Sequence, residues 1–241
     1  MYEYVFVWMP KYAPFLLRGA LVTVYISLIS MALALLLGLL IALGRLSGPW
    51  WAQGLLRAYL EIMRGVPLVV QLLFIYFTLP GLGISLTAVS AGVLGLSLNL
   101  GAYLSEVFRS AIASIDKGQY EAGVSLGLSR FRAYRLIVLP QAFLIALPTL
   151  GGYFISLLKD CSLVSFISVN ELLRNGTIII ASTFQSMQVY AMVAIIYLAM
   201  SVAASQLIRS MELYLTPAFL RPTSPRHRQL GGLPACATGA S

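Results

Sequence analysis

Charge is scarce in this chain. Only 10% of its 241 residues are Asp, Glu, Lys or Arg, whereas 59% are hydrophobic and the mean hydropathy is +0.88. A soluble domain carries roughly a quarter charged residues, so a water-soluble body of this size could not be covered, and the chain reads as a membrane protein. Histidine is nearly absent. The one present, His227, lies in a polar tail, which removes Ser-His-Asp and Cys-His arrangements and most metal sites. Cys161 and Cys236 are too few for a disulfide framework or a metal centre. No glycine-rich loop ending in Gly-Lys-Ser/Thr occurs, so ATP is not bound by that route. The N-terminus MYEYVFVWMP lacks a basic region, apolar core and small-residue cleavage site, and no signal peptide is read from it. No internal repeat is found that would build a whole transporter in one chain.

What is present is a set of apolar runs long enough to cross a bilayer as helices, which need about 20 residues each. Five are expected, at roughly Gly19–Leu43, Leu55–Leu79, Leu86–Val107, Leu139–Leu158 and Val189–Ile208. The first ends at Ser47-Gly48-Pro49. In its course Ser30, Ala34, Gly38 and Ala42 recur every four residues, a small-residue stripe suited to close helix packing. The second carries Arg57, Glu61 and Arg64 and is interrupted by Gly65 and Pro67, which predicts a broken helix. Ser162–Met187 is too polar for an ordinary span and too apolar for a free loop, and reads as a short membrane-embedded helix or re-entrant segment on the outer side. Residues 216–241 read as a disordered tail.

The 16 Lys and Arg against 8 Asp and Glu speak to orientation and anionic lipid before nucleic acid. Arg109, Lys117, Arg130, Arg132 and Arg135 flank spans three and four, and Arg209, Arg221, Arg226 and Arg228 follow span five. Both regions are expected in the cytoplasm, which places the N-terminus outside. Lys11 and Arg18 run against that arrangement.

Between spans three and four lies a connection of about thirty residues, Arg109–Leu139, longer than a compact protein keeps without a use. Asp116 followed by Gln119 has the form of a helix cap, Gly127 that of a helix stop, and Ser129 that of a second cap. A short helix across the membrane face, a docking element, is the expected result.

Glu121-Ala122-Gly123, then three residues, Gly127, nine residues, Ile137, one residue and Leu139-Pro140 resembles the coupling motif of ABC importer membrane subunits. The one departure is Gly123 in place of a usual second alanine. Further blocks narrow the resemblance to the polar amino-acid permeases of the histidine/glutamine type: Tyr59-Leu60-Glu61, Arg64-Gly65-Val66-Pro67-Leu68, Gln71, Leu96-Ser97-Leu98-Asn99, Gly101-Ala102-Tyr103, Leu139-Pro140-Gln141-Ala142 and Leu158-Lys159-Asp160. The likeness covers roughly Arg18–Leu215. It implies an all-α polytopic protein of about five transmembrane helices, a cytoplasmic coupling helix and a short outer-side helix. In domain terms, 1–18 is an outer segment and 19–215 the permease domain. It further implies a role in moving polar amino acids across the inner membrane with a second permease, identical or paralogous, an extracytoplasmic binding protein and a separate ATPase. That ATPase would bind the ATP and dock on Glu121, Ala122, Gly123 and Gly127, with Leu139 and Pro140 completing the segment. The chain itself would be no enzyme and hold no cofactor.

A substrate path is expected at the break in span two. Arg64, Gly65, Pro67, Leu68, Gln71 and Asp160 are its candidate residues. A half-helix starting at Pro67 leaves the amides near Val66, Leu68 and Val69 available to a carboxylate. Arg64 would add charge there, or else pair with Glu61 or reach the inner interface. Asp160 would take an ammonium, or else pair with Lys159. Asn99 reads as glue between helices, and Glu106 with Arg109 as an intrahelical pair. Three rival classes stay in view: a channel or secondary transporter, an adaptor without transport, and a membrane hydrolase built on Glu61 and Asp160.

Overall fold

A computed structural model describes residues 9–215. It is all-helical, with no strand among the described residues. The helices are α1 (Met9–Ser47), α2 (Trp50–Gly65), α3 (Leu68–Leu73), α4 (Ala88–Ala113), α5 (Lys117–Ser125), α6 (Arg130–Ala133), α7 (Leu139–Asp160), α8 (Leu172–Thr183) and α9 (Ser186–Leu215). Short π and 3-10 turns extend several of them. Four stretches are long and apolar enough to cross a membrane: Lys11–Ser47, Ala88–Ala113, Arg130–Ile167 and Ser186–Leu215. The fifth candidate is the pair Trp50–Gly65 and Leu68–Leu82, bent by 107°.

The scaffold is the α1–α4 pair. Ser30, Ala34 and Ala42 are buried on α1, and a methyl group added at Gly38 would lie 2.9 Å from the Leu104 Cβ. Gly101 is the reciprocal close approach, with the Leu37 Cβ 3.2 Å from where its own Cβ would stand. The four-residue stripe thus brings two backbones together, as small residues do where no hydrophobic force drives helices out of lipid. Ser97 Oγ donates to the Ser30 carbonyl across the seam.

One boundary differs from expectation. Helix α1 is already formed at Met9, so the residues ahead of Gly19 that are described belong to it and not to a separate outer segment. Charge at Lys11 and Arg18 does not prevent helix; it only marks the end of the apolar run, and Pro14 lies close enough to the start to cost little. The tail 216–241, including His227, lies outside the described residues.

The polar stretch after α7 folds as a 3-10 turn, Cys161–Ile167, followed by α8. Its anchor is Glu171, fully buried at the N-cap of α8. The carboxylate accepts the N–H groups of Leu173 at 2.9 Å and Arg174 at 2.7 Å, and the Tyr197 hydroxyl of α9 at 2.8 Å. Thr23 of α1 accepts the Leu172 N–H through its hydroxyl. Asn175 donates to the Phe15 carbonyl of α1 at 2.9 Å. A buried charge is tolerable only when bonded in this way, and the result fastens α8 to both α1 and α9.

Candidate functional site

The break in the second span begins with the chemistry of a residue before proline. Val66 is driven extended (φ −96°, ψ 132°) by the Pro67 ring, which ends α2. The carbonyls left without helical partners are then met by side chains. Gln71 Nε2 donates to the Met63 and Val66 carbonyls at 2.9 and 2.8 Å, and Asn99 Nδ2 donates to Met63 at 2.8 Å and to the Gln71 Oε1 at 3.3 Å. Gln71 is therefore buried behind the break and stands apart from the cavity wall. Its amide caps the broken ends, since an unmet carbonyl in an apolar interior is costly. Val66 likewise uses its own N–H on the Ile62 carbonyl, whereas the N–H groups of Leu68 and Val69 meet no carbonyl.

In front of the break is a cavity of about 440 Å³. Arg64, Gly65, Pro67 and Leu68 form one wall, Asn99 and Tyr103 of α4 a second, and Tyr153, Ser156 and Asp160 of α7 a third. The Arg64 guanidinium lies over the Tyr103 ring at 5.5 Å from its centroid, and Tyr103 faces Tyr153 at 6.2 Å. Stacking on an aromatic face holds the cation without neutralising it. Neither Arg64 nor Asp160 has an ion pair: among the described residues, the salt bridges join Glu106 to Arg45 and to Arg109. The alternatives in which Arg64 pairs with Glu61, or Lys159 with Asp160, are not adopted. The cavity thus brings together a cation stacked on Tyr103 and an anion beside Lys159, neither of them in a salt bridge.

Tyr103, Tyr153 and Ser156 were not among the path residues expected from sequence. Aromatic and small residues in apolar runs carry no local sign of facing a cavity. Arg45 is the other addition. It donates to Glu106 from 61 positions away and joins α1 to α4, beside the expected bond from Arg109 Nε to Glu106 at 2.8 Å.

The connection between α4 and α7 is built as a capped helix. The Asp116 carboxylate accepts the Gly118 N–H at 2.7 Å to start α5. At its end Gly127 takes φ +86°, Gly127 N–H meets the Val124 carbonyl, and Leu128 N–H meets Gly123 at 3.2 Å. This pair of bonds is a Schellman stop, which needs a left-handed residue and so favours glycine. Ser129 then caps α6 through the Arg132 N–H. Tyr120 stacks on Tyr134 at 5.2 Å and braces α5 against the next helix. Gly123 is buried, and an added methyl there would fall 2.5 Å from the Ile137 Cδ1, so Ile137 fills the space that alanine would occupy. Glu121, Ala122 and Leu126 face outward, the last 85% exposed. A π turn over Tyr134–Val138 admits Pro140 into α7 without a break.

Comparison with known proteins gives this arrangement its family. Residues 34–212 match the model for the binding-protein-dependent transport system inner membrane component. The chain belongs to that family. It is a permease, a transport component and not an enzyme, and a multi-pass inner-membrane protein. The permease is 40% identical over 201 residues to the glutamine transport system permease protein GlnP of Escherichia coli K12, covering 83% of this chain and 92% of that protein. It is 43% identical over 192 residues to the probable amino-acid ABC transporter permease protein YckA of Bacillus subtilis 168, covering 79% and 85%. Among solved structures, a crystal structure of an amino acid ABC transporter with histidines superposes at a TM-score of 0.80 with 36% identity, covering 87% of the permease and 98% of that chain. An inward-facing methionine ABC transporter, MetNI, shares the fold at a TM-score of 0.72 and 18% identity, covering 84% and 97%.

Proposed function

We propose that the permease forms the membrane path of an ATP-driven amino-acid importer and holds its substrate in the cavity at the α2–α3 break. The single observation that carries the reading is that Arg64 of α2 and Asp160 of α7, neither in a salt bridge, line one cavity. An α-amino acid is a zwitterion and can meet both. Its carboxylate takes Arg64, with the Leu68 amide in the same wall, and its ammonium takes Asp160. Tyr103 and Tyr153 shape the space between and exclude water, which strengthens both contacts. The named relatives, for glutamine and for amino acids, support this substrate class.

The chain is the permease subunit of an ABC importer. It works with a separate ATPase, a second permease and a substrate-binding protein. The ATPase binds the nucleotide and docks on α5, where Glu121, Ala122 and Gly127 present an exposed, rigidly capped surface, Gly123 packs on Ile137, and Leu139 and Pro140 continue the segment into α7. Closing of the ATPase pair then tilts the spans. Ligand and nucleotide move that equilibrium only as far as they bind one state better than the other. The basic connection and C-terminus face the cytoplasm and the N-terminus faces outward, following the distribution of arginine and lysine.

Gentle extraction of the tagged permease from its native membrane tests the reading. A copurifying ATPase, stimulated by binding protein with one amino acid, is the expected outcome. Glu121→Arg should remain inserted but lose most of that ATPase association, since it puts a repelling cation in the docking surface. A chain that purifies alone and transports without ATP would instead support the channel or secondary-transporter class.

A further inference from the structure

On the side of the α2–α3 break nearer the α4–α7 connection lies a second chamber, of about 630 Å³. It is a separate space from the cavity of Tyr153 and Asp160 but shares Arg64, Gly65 and Tyr103 with it. Its own walls bring Arg57 and Glu61 from α2, Arg45 from α1 and Glu106 from α4. These charges divide into two kinds. Glu106 is held by Arg45 and Arg109 and is part of the scaffold. Arg57 and Glu61 stand one helical turn apart, the spacing at which a pair forms readily, yet they make no ion pair, and Arg64 makes none either.

We infer that this chamber is a second, transit subsite for the same zwitterionic amino acid, occupied after it leaves the Asp160 cavity. The inference rests on the reading of that cavity as the substrate site. A volume within the range of small-ligand sites and a few convergent polar groups fit the size and chemistry of such a ligand. The α-carboxylate lies between Arg57 and Arg64, and the α-ammonium meets Glu61. Arg64 belongs to both chambers, so its guanidinium keeps hold of the carboxylate while the ammonium exchanges Asp160 for Glu61. The substrate then passes the break with its carboxylate held on Arg64 throughout, and Arg57, Glu61 and Arg64 are all solvent-exposed and so within its reach.

The test uses the full complex of permeases and ATPase in nanodiscs, without nucleotide, with radiolabelled L-glutamine as the probe. Wild type is expected to show two binding events per permease of different affinity. Glu61→Gln and Arg57→Gln should each remove one of them and leave the other within about twofold, while Asp160→Asn removes the second and spares the first; a twofold change is below the roughly tenfold effect expected of a lost charged contact. Uptake by Glu61→Gln should fall although substrate still enters the Asp160 cavity. A single binding event in wild type, lost in Asp160→Asn and untouched in Glu61→Gln, would overturn the transit subsite and leave the proposed function standing. Two events both surviving Asp160→Asn would instead overturn the cavity reading on which it rests. Reduced recovery of the two-permease complex in Glu61→Gln, with no change in binding, would show that this charged face serves as an interface between permeases and would also overturn the inference.

Discussion

Asp160 and Arg64 are exposed to the cavity and make no salt bridge, and in the proposed reading their worth is in the ligand they await. Asp160→Asn keeps the shape of the side chain and removes its charge. Uptake in a reconstituted complex should drop about tenfold to a hundredfold, the effect of one charge-assisted hydrogen bond, with assembly unchanged on size exclusion. Full uptake by the variant would return Asp160 to a surface role. Gln71 behaves in the opposite way. Because its amide meets two carbonyls behind the break, Gln71→Leu should cost about 1–3 kcal/mol per carbonyl left unmet. The thermal midpoint of the purified permease should fall accordingly, and substrate affinity should follow only through the shape of the break.

Among the elements, α5 shows how a short helix becomes a rigid lever. It has only nine residues and would be marginal alone, so its ends and its underside decide it. Gly127 has open space around it, and the cost of Gly127→Ala is therefore backbone strain of about 1–2 kcal/mol rather than a clash. The helix stop should loosen and the copurified ATPase should decline. Gly123→Ala makes a contrasting case. Its methyl meets the flexible end of Ile137, a small shift restores the fit, and ATPase recovery should stay near wild type. Equal loss in both variants would mean that α5 is held by packing and not by its stop. The 107° bend between α2 and α3 is the other element with a task. One X-Pro step produces it, two amides from Gln71 and Asn99 cap it, and a cavity opens on its far side.

For the whole molecule, the issue is how a permease can be driven by a separate ATPase. The α1–α4 pair is tightly seamed, α8 is tied to α1 and α9 through Glu171, and α6 runs through a π turn into α7, which carries Tyr153 and Asp160, with α5 packed on that turn through Gly123 and Ile137. A displacement of α5 by a docked ATPase would reach α7, and with it the Tyr153 and Asp160 wall of the cavity, through this contact. A protease-sensitive tag placed after Leu215 should be cleaved in inverted membrane vesicles and protected in intact spheroplasts. The reverse pattern would overturn the assignment of the C-terminus to the cytoplasm.

The sequence by itself determined whatever depends on residues near one another along the chain. The apolar runs settle a helical membrane protein, the small-residue stripe of α1 settles a close seam, Asp116 and Gly127 settle the ends of α5, and the spacing from Glu121 to Pro140 points to the importer family. The tertiary structure alone decided which distant side chains meet. Glu106 was legible as the partner of Arg109, three residues away, but not of Arg45 on another helix. Glu171 read as a polar residue in an ambiguous stretch, and became a buried knot only once Thr23, 148 positions earlier, and Tyr197 were packed against it. Gln71 read as lining the path or bonding across helices, and its amide meets the Met63 and Val66 carbonyls, because its direction depends on how far the chain turns at Pro67. Helix pattern fixes which face of a segment is apolar. The rotation and crossing of one helix against another fix what that face touches, and no local spacing encodes them.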